Sequence, residues 1–475
     1  MKTIIAAMIG TASLLASSAN AQDRPQIPWG ESEAQTGADR LYTADQFSNT
    51  VTVIDPVEGK TLGIIKLGEL QPANFGALYK GQLLVHGLGF SPDGKTLAVV
   101  SVGSNSVTFI DTATNTVKHT TYLGRSPHEA FYTRDGKEVW VTVRGESHIA
   151  VLDAKTFEVK KRIDTPEGPG MQIFSIDGKY GFVCSSFTPE LVVYDVASHK
   201  EVARLEQPSP FCPNLAASPD GKQLWYTLKD IGKVAVINAK PPFDTIKVID
   251  TGAISNHVNF ANTDRGLMAY VTIGGLNQVK VFRTDDFRQI ATIPVGRLPH
   301  GVWPSGDGRR VYVGLENDNR VDVIDTASQR VVGSWPTGHA PQAIAYVPGA
   351  VSGNGKANLM PLGDAGNLTR LNLTGTGMTS IALFDQGLVQ ILEAGVAGLK
   401  PGQEYQLILA SHPDGTGEVE AIAKFKANPA GGAIVNTTGP IRQIVRGNET
   451  ATRRYLAIRE MADGQPGTVV QTQQD

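Results

Sequence analysis

The sequence contains little cysteine, and this scarcity excludes several kinds of redox site. Its only cysteines are Cys184 and Cys212, so the chain has no CxxCH motif for covalent haem and no CxxC redox pair. Two cysteines in an exported protein form one disulfide by default. We therefore expect a disulfide between Cys184 and Cys212, with free thiols or metal ligation as the alternatives.

Long apolar runs and an excess of charge of one sign are also absent from the mature part of the chain. No stretch there approaches the roughly 18 consecutive apolar residues of a membrane helix, so we expect no membrane span. The formal net charge is −3, which differs from the basic footprint of proteins that bind nucleic acids. A nucleic-acid partner is therefore not expected.

The N-terminal segment has the pattern of a secretory signal peptide. A charged start at Lys2 precedes an apolar run, and the small residues Ala19-Asn20-Ala21 form a cleavage site. We exclude residues 1–21 from the fold and expect a periplasmic or secreted protein.

A repeat of about 43 residues organises most of the chain. Each copy has an anchor residue seven places before the aspartate of an Asp-Gly type turn, and successive anchors are 42 to 44 residues apart. Each copy also predicts four short strands, which is one blade of a β-propeller. The seven anchors are His86, His128, Gly170, Pro213, His257, His300 and, in a last incomplete copy, Gln342.

The repeat predicts the domain organisation. Strands near Leu41 and Val51 lack a first strand, which Gln342–Tyr346 can supply, so the two ends of the repeat region should share one blade and close a ring of seven. We expect the propeller at 22–351, a linker at 352–359, and a small antiparallel β-sandwich with a flexible tail at 360–475. An insertion of 14 residues between Leu67 and His86 predicts a lid over the channel mouth or a plain surface loop.

The repeat resembles the YVTN family of seven-bladed propellers. The family motif stands here as Tyr270-Val271-Thr272-Ile273 and Tyr312-Val313-Gly314-Leu315, and Val321–Thr326 continues the second copy in the family's manner. The resemblance covers about residues 40–350. It implies the propeller fold, whereas the functions that it implies range from binding proteins to propellers with catalytic centres.

Four of the anchors are histidines that should meet at one mouth of the channel. The first strand of each blade lines the channel, so His257, His300, Gln342, His86 and His128 occupy five neighbouring positions of the ring. Neutral imidazole is a ligand of Zn and Cu, and these two metals are the candidate cofactors. The alternative is that the histidines cap the loop-to-strand junctions and were copied by duplication.

Cationic side chains should surround the same mouth. Arg125, Arg297 and His339 stand three places before anchors, and Arg144 and Lys229 follow second strands on the same face. Together with Gln342 they are candidate ligand-binding residues, because arginine recognises carboxylate and phosphate with paired donors. A solvated rim is the alternative interpretation.

These observations leave several functions open. The first is an exported binding or scaffold propeller that takes a small anionic ligand or a protein partner at the histidine-lined mouth. The second is a metal-dependent lyase, lactonase or other hydrolase that uses the channel histidines. A copper or d1-haem redox propeller is a third, although residues 360–475 contain no cysteine for a dinuclear copper centre. The sequence does not predict the oligomeric state.

Overall fold

The computed structural model describes residues 35–68, 83–386, 389–439, 441, 445 and 453–474. In this part of the chain the strands form seven four-stranded antiparallel sheets and one eight-stranded sheet. The prediction of an all-β protein, with a seven-bladed propeller followed by a second antiparallel domain, is confirmed. The expected signal peptide and most of the insertion, including Phe75, Tyr79 and Lys80, lie outside the described residues.

Six blades consist of four consecutive strands, and the remaining blade takes strands from both ends of the repeat region. The bounds of the propeller strands are β1 (Arg40–Asp45), β2 (Thr50–Asp55), β3 (Lys60–Lys66), β4 (Val85–Phe90), β5 (Thr96–Ser101), β6 (Ser106–Asp111), β7 (Thr116–Tyr122), β8 (Pro127–Tyr132), β9 (Glu138–Val143), β10 (His148–Asp153), β11 (Val159–Asp164), β12 (Pro169–Phe174), β13 (Tyr180–Ser185), β14 (Glu190–Asp195), β15 (Lys200–Glu206), β16 (Leu215–Ala217), β17 (Gln223–Leu228), β18 (Lys233–Asn238), β19 (Thr245–Asp250), β20 (Ser255–Thr263), β21 (Gly266–Ile273), β22 (Gln278–Arg283), β23 (Gln289–Pro294), β24 (Pro299–Pro304), β25 (Arg310–Leu315), β26 (Arg320–Asp325), β27 (Arg330–Pro336) and β28 (Pro341–Val347).

The Asp-Gly turns join the first two strands of most blades. In the second blade Ser91 Oγ donates to Asp93 Oδ1 at 2.5 Å, and the same oxygen accepts the backbone N–H of Lys95 at 3.0 Å. Gly94 has a φ of 70°, a conformation that glycine adopts without strain. The repeated Asp-Gly pair therefore fixes the hairpin that places each anchor at the opposite end of its strand.

The ring closes by pairing the two ends of the repeat region. Strand β28 pairs antiparallel with β1, with Leu41 opposite Tyr346. The hydroxyl of Tyr346 donates to Asp39 Oδ2 at 2.6 Å, and the backbone N–H of Gly349 donates to Asp39 Oδ1 at 2.7 Å. The closure pairs the edge of β1 that the N-terminal strands alone would leave free, which favours a rigid scaffold.

The two cysteines join the fourth blade to the connection into the fifth. Cys184 lies in β13, Cys212 precedes β16, and their Cα atoms are 5.9 Å apart in a disulfide. Both residues are fully buried. The bridge lies under the mouth near Gly170, the anchor of the fourth blade, whose own Cβ position would come within 2.7 Å of the Cys212 carbonyl.

The C-terminal domain is one antiparallel sheet whose edge strands contact each other. Its core contains Leu373, Leu383, Leu407 and Ile458. The bounds of its strands are β29 (Leu368–Gly375), β30 (Met378–Asp385), β31 (Gln390–Val396), β32 (Glu404–Ala410), β33 (Val419–Lys426), β34 (Ala433–Gly439), β35 (Tyr455–Ala462) and β36 (Gln465–Gln473).

The C-terminal sheet packs on the face of the propeller that carries the histidine anchors. Three 3₁₀ turns follow the second strands of blades five to seven, and the last two contact β29, β30 and β31. Asn317 Nδ2 donates to the Ser380 carbonyl at 3.1 Å, and the rings of Phe47 and Phe384 lie 5.0 Å apart. The 3₁₀ turns of the described residues are Lys229–Ile231, Gly274–Leu276, Glu316–Asp318 and, before the C-terminal sheet, Gly363–Gly366.

Candidate metal centre and ligand pocket

The four anchor histidines form one cluster at the channel mouth. The ring centroids of His86 and His128 are 4.4 Å apart, those of His257 and His300 are also 4.4 Å apart, and 6.2 Å separates His86 from His300. A register shift falls at the anchor in the first strand of every blade except the fifth, for example between Val85 and Leu88. Such a bulge re-aims a side chain, and here it coincides with histidines that meet at the mouth.

His86 and His128 are in direct contact through their Nε2 atoms, which are 3.0 Å apart. The Nδ1 atom of His86 lies 3.2 Å from the side-chain oxygen of Gln46, which can only accept a hydrogen bond. Nδ1 of His86 is therefore the donor, and in the neutral ring its Nε2 carries a lone pair that points at His128.

The other histidine pair has a similarly fixed orientation. Nδ1 of His300 lies 2.7 Å from the backbone carbonyl of Gln342, so it donates and leaves a lone pair on Nε2. Nδ1 of His128 is buried and has no hydrogen-bond partner among the described residues, and burial lowers the pKa of His128 more than the backbone of Gly170 raises it. The scaffold thus holds imidazole nitrogens in the form that metal ions bind.

The electrostatic environment keeps all four rings neutral. Burial, reinforced by the cations of Arg144 and Lys229, lowers the pKa of His86 to about 3. Burial, together with the neighbouring His86 and Lys229, lowers the pKa of His257 to about 3. Burial also holds the pKa values of His128 and His300 well below the usual value of 6.5. Protonation of the neutral rings in this cluster is therefore unfavourable.

Glu129 adds a carboxylate to the first histidine pair. Possible ligand atoms of His86, His128 and Glu129 all lie within 4.8 Å of one another. The side chain of Glu129 is 3% exposed, and burial raises its pKa to about 8. The sequence interpretation missed this residue, although it is the only charged residue directly after an anchor. The other copies have Gly87, Met171, Asn214, Val258, Gly301 and Ala343 there.

Two cavities meet this cluster. A pocket of about 320 Å³ opens beside the first histidine pair and is lined by Gln46, His86, Val102, Ser126, His128, Arg144, Gly145 and Phe187. A smaller cavity of about 30 Å³ lies in the channel, where Glu129 and His257 line it together with mainly apolar first-strand side chains. The first pocket is large enough for a small organic molecule, and the second has room only for water.

Arg144 carries the positive charge of the larger pocket. Its guanidinium carbon lies 5.6 Å from the ring centroid of Phe187 and 5.3 Å from that of Phe211. Burial lowers the pKa of Arg144. Within the described residues no carboxylate pairs with this guanidinium, and its buried Nε has no hydrogen-bond acceptor.

An acidic cluster occupies the other side of the mouth. Gln342 Nε2 donates to Glu316 Oε2 at 2.6 Å, and Glu316 Oε1 lies 3.9 Å from Nε2 of His300. Glu393 of the C-terminal sheet is a second buried acid that interacts with Glu316. Burial raises the pKa of Glu316 to about 7, while Lys229 acts in the opposite direction. Neither glutamate was singled out as a site residue by the sequence.

The remaining rim residues of the sequence prediction lie in different surroundings. Arg125 is exposed, while Lys229 is partly exposed and lies 5.8 Å from the Phe211 ring. Arg297 pairs with Asp318 at 3.2 Å and donates to Asn372 of the C-terminal sheet. His339 is fully buried with its ring 5.5 Å from Phe384. The structure thus brings Arg144 to the pocket and Gln342 to the acidic cluster, and it places Arg297 and His339 at the domain contact.

Comparisons with known proteins show a similarity of fold only. No known protein family matches the sequence, and no curated protein matches it. Kuenenia stuttgartiensis hydrazine synthase is similar over 55% of this chain and 88% of the other chain, with 20% identity and a TM-score of 0.49. A functionally unknown protein from Desulfotomaculum acetoxidans DSM 771 is similar over 65% of this chain and 99% of its own, with 12% identity and a TM-score of 0.53. The second similarity is one of fold alone, and membership of the YVTN family stays a prediction.

Proposed function

We propose that this protein is an exported propeller that binds a small anionic molecule at the channel mouth, beside a transition-metal ion held by His86 and His128. The N-terminal sequence pattern and the disulfide of Cys184 and Cys212 support the export. In the described residues no helix is long and apolar enough to span a membrane.

The observation that carries the proposal is the 3.0 Å separation of the two Nε2 atoms. With Nδ1 of His86 donating to Gln46, the lone pair on Nε2 of His86 faces the ring of His128. A neutral His128 with its proton on Nε2 would satisfy this contact, and so would a cation between the two rings. Burial and the charge of Arg144 keep both rings neutral, and neutral imidazoles bind Zn and Cu, so we propose the cation.

The geometry of the pair suits one shared ion. An ion about 2.0–2.1 Å from each nitrogen would make an N–metal–N angle of about 94° at this separation. Glu129 would supply a third, carboxylate ligand, and His300 stands beside His86. Zinc is our first choice, because two histidines and one glutamate form a known zinc ligand set, and copper is the second.

A metal-dependent hydrolase or lactonase is the second candidate function. Catalytic zinc keeps a coordination position open for water or substrate. The pocket of about 320 Å³ that His86 and His128 line offers such an open side. If the ion binds there, it would polarise a ligand carbonyl or lower the pKa of a bound water.

Metal analysis of protein purified without a histidine tag tests the proposal. Elemental mass spectrometry should find about one zinc or copper ion per chain, and the variant His86→Ala/His128→Ala should lose it. His412→Ala is the matched control, because His412 is an exposed histidine in a loop of the C-terminal domain, with its Nδ1 3.2 Å from Thr416 Oγ1. It should keep the metal.

A variant that fails to fold would not answer the question. His128→Gln is therefore measured as well, together with the circular dichroism spectrum and the urea midpoint of each protein. The proposal is wrong if the wild-type protein stays metal-free after incubation with Zn²⁺ and with Cu²⁺, or if the folded histidine variants keep the wild-type metal content.

A further inference from the structure

The pocket beside the histidine pair contains a cation that the described protein does not neutralise. Arg144 follows β9, and its guanidinium lies over the rings of Phe187 and Phe211. A buried guanidinium keeps its full charge, and leaving it without an anionic partner costs free energy. Arg144 lines the pocket of about 320 Å³ and has no carboxylate partner among the described residues, so an anionic ligand in this pocket would neutralise it.

The walls of the same pocket are largely apolar. Val102 lines it, and so does Phe187, which is 55% exposed although it is a large hydrophobic residue. Small-molecule sites are lined mainly by apolar side chains together with a few polar groups, and this pocket combines Phe187 and Val102 with the cation of Arg144. An inorganic anion would neutralise Arg144 but would leave the ring of Phe187 exposed.

We infer that the ligand of this pocket is a small organic carboxylate, whose carboxyl group pairs with Arg144 and whose apolar body covers Phe187 and Val102. The inference rests on the proposed function for the position of the metal ion. His86 and His128 line the pocket together with Arg144, so a carboxylate on Arg144 places the rest of the molecule against the metal position. Nζ of Lys229 lies 5.8 Å from the centroid of the Phe211 ring and adds positive charge.

Calorimetric titration with benzoate tests this inference on the full chain. Benzoate combines a carboxylate with an aromatic body, and inorganic phosphate supplies the anion alone. We expect benzoate to bind the wild-type protein and to bind Arg144→Gln about ten- to a hundredfold more weakly, because a charge-assisted pair is lost. Arg309→Gln, an exposed arginine on the opposite face of the propeller, is the matched control and should bind benzoate like the wild-type protein.

Two further variants keep the test decisive. Arg144→Lys keeps the charge without the paired donors, so it should bind benzoate with intermediate affinity even if Arg144→Gln is unstable. Phe187→Ala should weaken benzoate and leave phosphate unchanged. The inference is overturned if benzoate binds Arg144→Gln and the wild-type protein equally well, if it binds neither, or if phosphate binds as tightly as benzoate.

The metal content, measured on the same samples, separates this inference from the proposed function. Arg144→Gln should keep its metal, because Arg144 is no ligand of the proposed ion. Benzoate binding that depends on Arg144 in a metal-free wild-type protein would support the carboxylate site and contradict the metal site. A metal content that is lost in the His128 variant, in a protein that does not bind benzoate, would support the metal site and contradict the carboxylate site.

Discussion

Glu316 of the seventh blade and Glu393 of the C-terminal sheet are two buried acids that interact at the contact between the two domains. Each side chain is 2% exposed. Burial, reinforced by the negative charge of Glu316, holds the pKa of Glu393 well above its usual value. Two close carboxylates disfavour double ionisation, so we expect one of the pair to carry a proton and to donate it to the other. The contact joins the C-terminal sheet to the histidine-lined mouth.

Replacing Glu393 tests this arrangement. Glu393→Gln keeps a side-chain donor for Glu316 and needs no proton, so its free energy of unfolding at pH 8 should equal or exceed that of the wild-type protein. Glu393→Ala removes the hydrogen bond and should cost about 1–2 kcal/mol. Urea unfolding of the three proteins is the measurement. Equal losses in both variants would show that the pair does not share a proton.

The carboxyl group of Asp45 predicts a pH dependence of stability. Burial raises its pKa to about 7, although Thr43, Thr50 and Thr52 donate to it. Because the unfolded value is about 4, the folded protein binds this proton more tightly, and the stabilisation is lost as the pH rises through about 7. Between pH 5 and pH 8 the wild-type protein should lose about 3 kcal/mol more than Asp45→Asn.

Urea midpoints of both proteins at pH 5 and pH 8 measure this difference. Other titrating groups act equally on the wild-type protein and the variant, so they cancel in the comparison. Parallel pH profiles would mean that Asp45 is ionised in the folded protein and that its threonine donors outweigh burial.

The disulfide should stabilise the junction between the fourth and fifth blades. It closes a loop with a sequence separation of 28, for which the chain-entropy account gives about 3–4 kcal/mol. Cys184→Ala/Cys212→Ala should therefore lower the midpoint of thermal unfolding and leave the metal content unchanged. Loss of the metal in this variant, with the propeller still folded, would contradict a purely structural role.

Gly87 should be needed for the proposed metal site. A Cβ atom at this position would lie 2.3 Å from the His128 carbonyl oxygen and 2.7 Å from Oε2 of Glu129. Gly87→Ala must displace both groups, so we expect a loss of metal affinity of tenfold or more. Gly37→Ala is the control, because a Cβ atom there meets nothing within 4 Å. Competition with a metal chelator measures the affinities, and equal affinities would contradict the site.

The propeller could be predicted because each blade repeats the same local signals. An anchor, an Asp-Gly turn and alternating strands recur in register, and Gln342–Tyr346 completes the blade that begins at Leu41. The meeting of the histidines follows from the same repeat, since equivalent positions of a closed ring share one mouth.

The remainder of the site depends on contacts between distant segments. Glu129 could have been found by comparing the residues that follow the anchors. Glu393 could not, because its approach to Glu316 depends on how the C-terminal sheet docks. The contrast between Arg144 and Arg297 likewise arises from packing: Arg297 meets Asp318 and Asn372, whereas Arg144 meets two aromatic rings.

An anomalous difference map from crystals of the untagged protein, recorded at the zinc and copper absorption edges, tests the central claim most directly. We predict one peak, about 2.0–2.2 Å from Nε2 of His86 and from Nε2 of His128, with the side chain of Glu129 beside the peak. A map without a peak there, from crystals soaked in either metal and with the two rings in direct contact, would contradict the proposed centre.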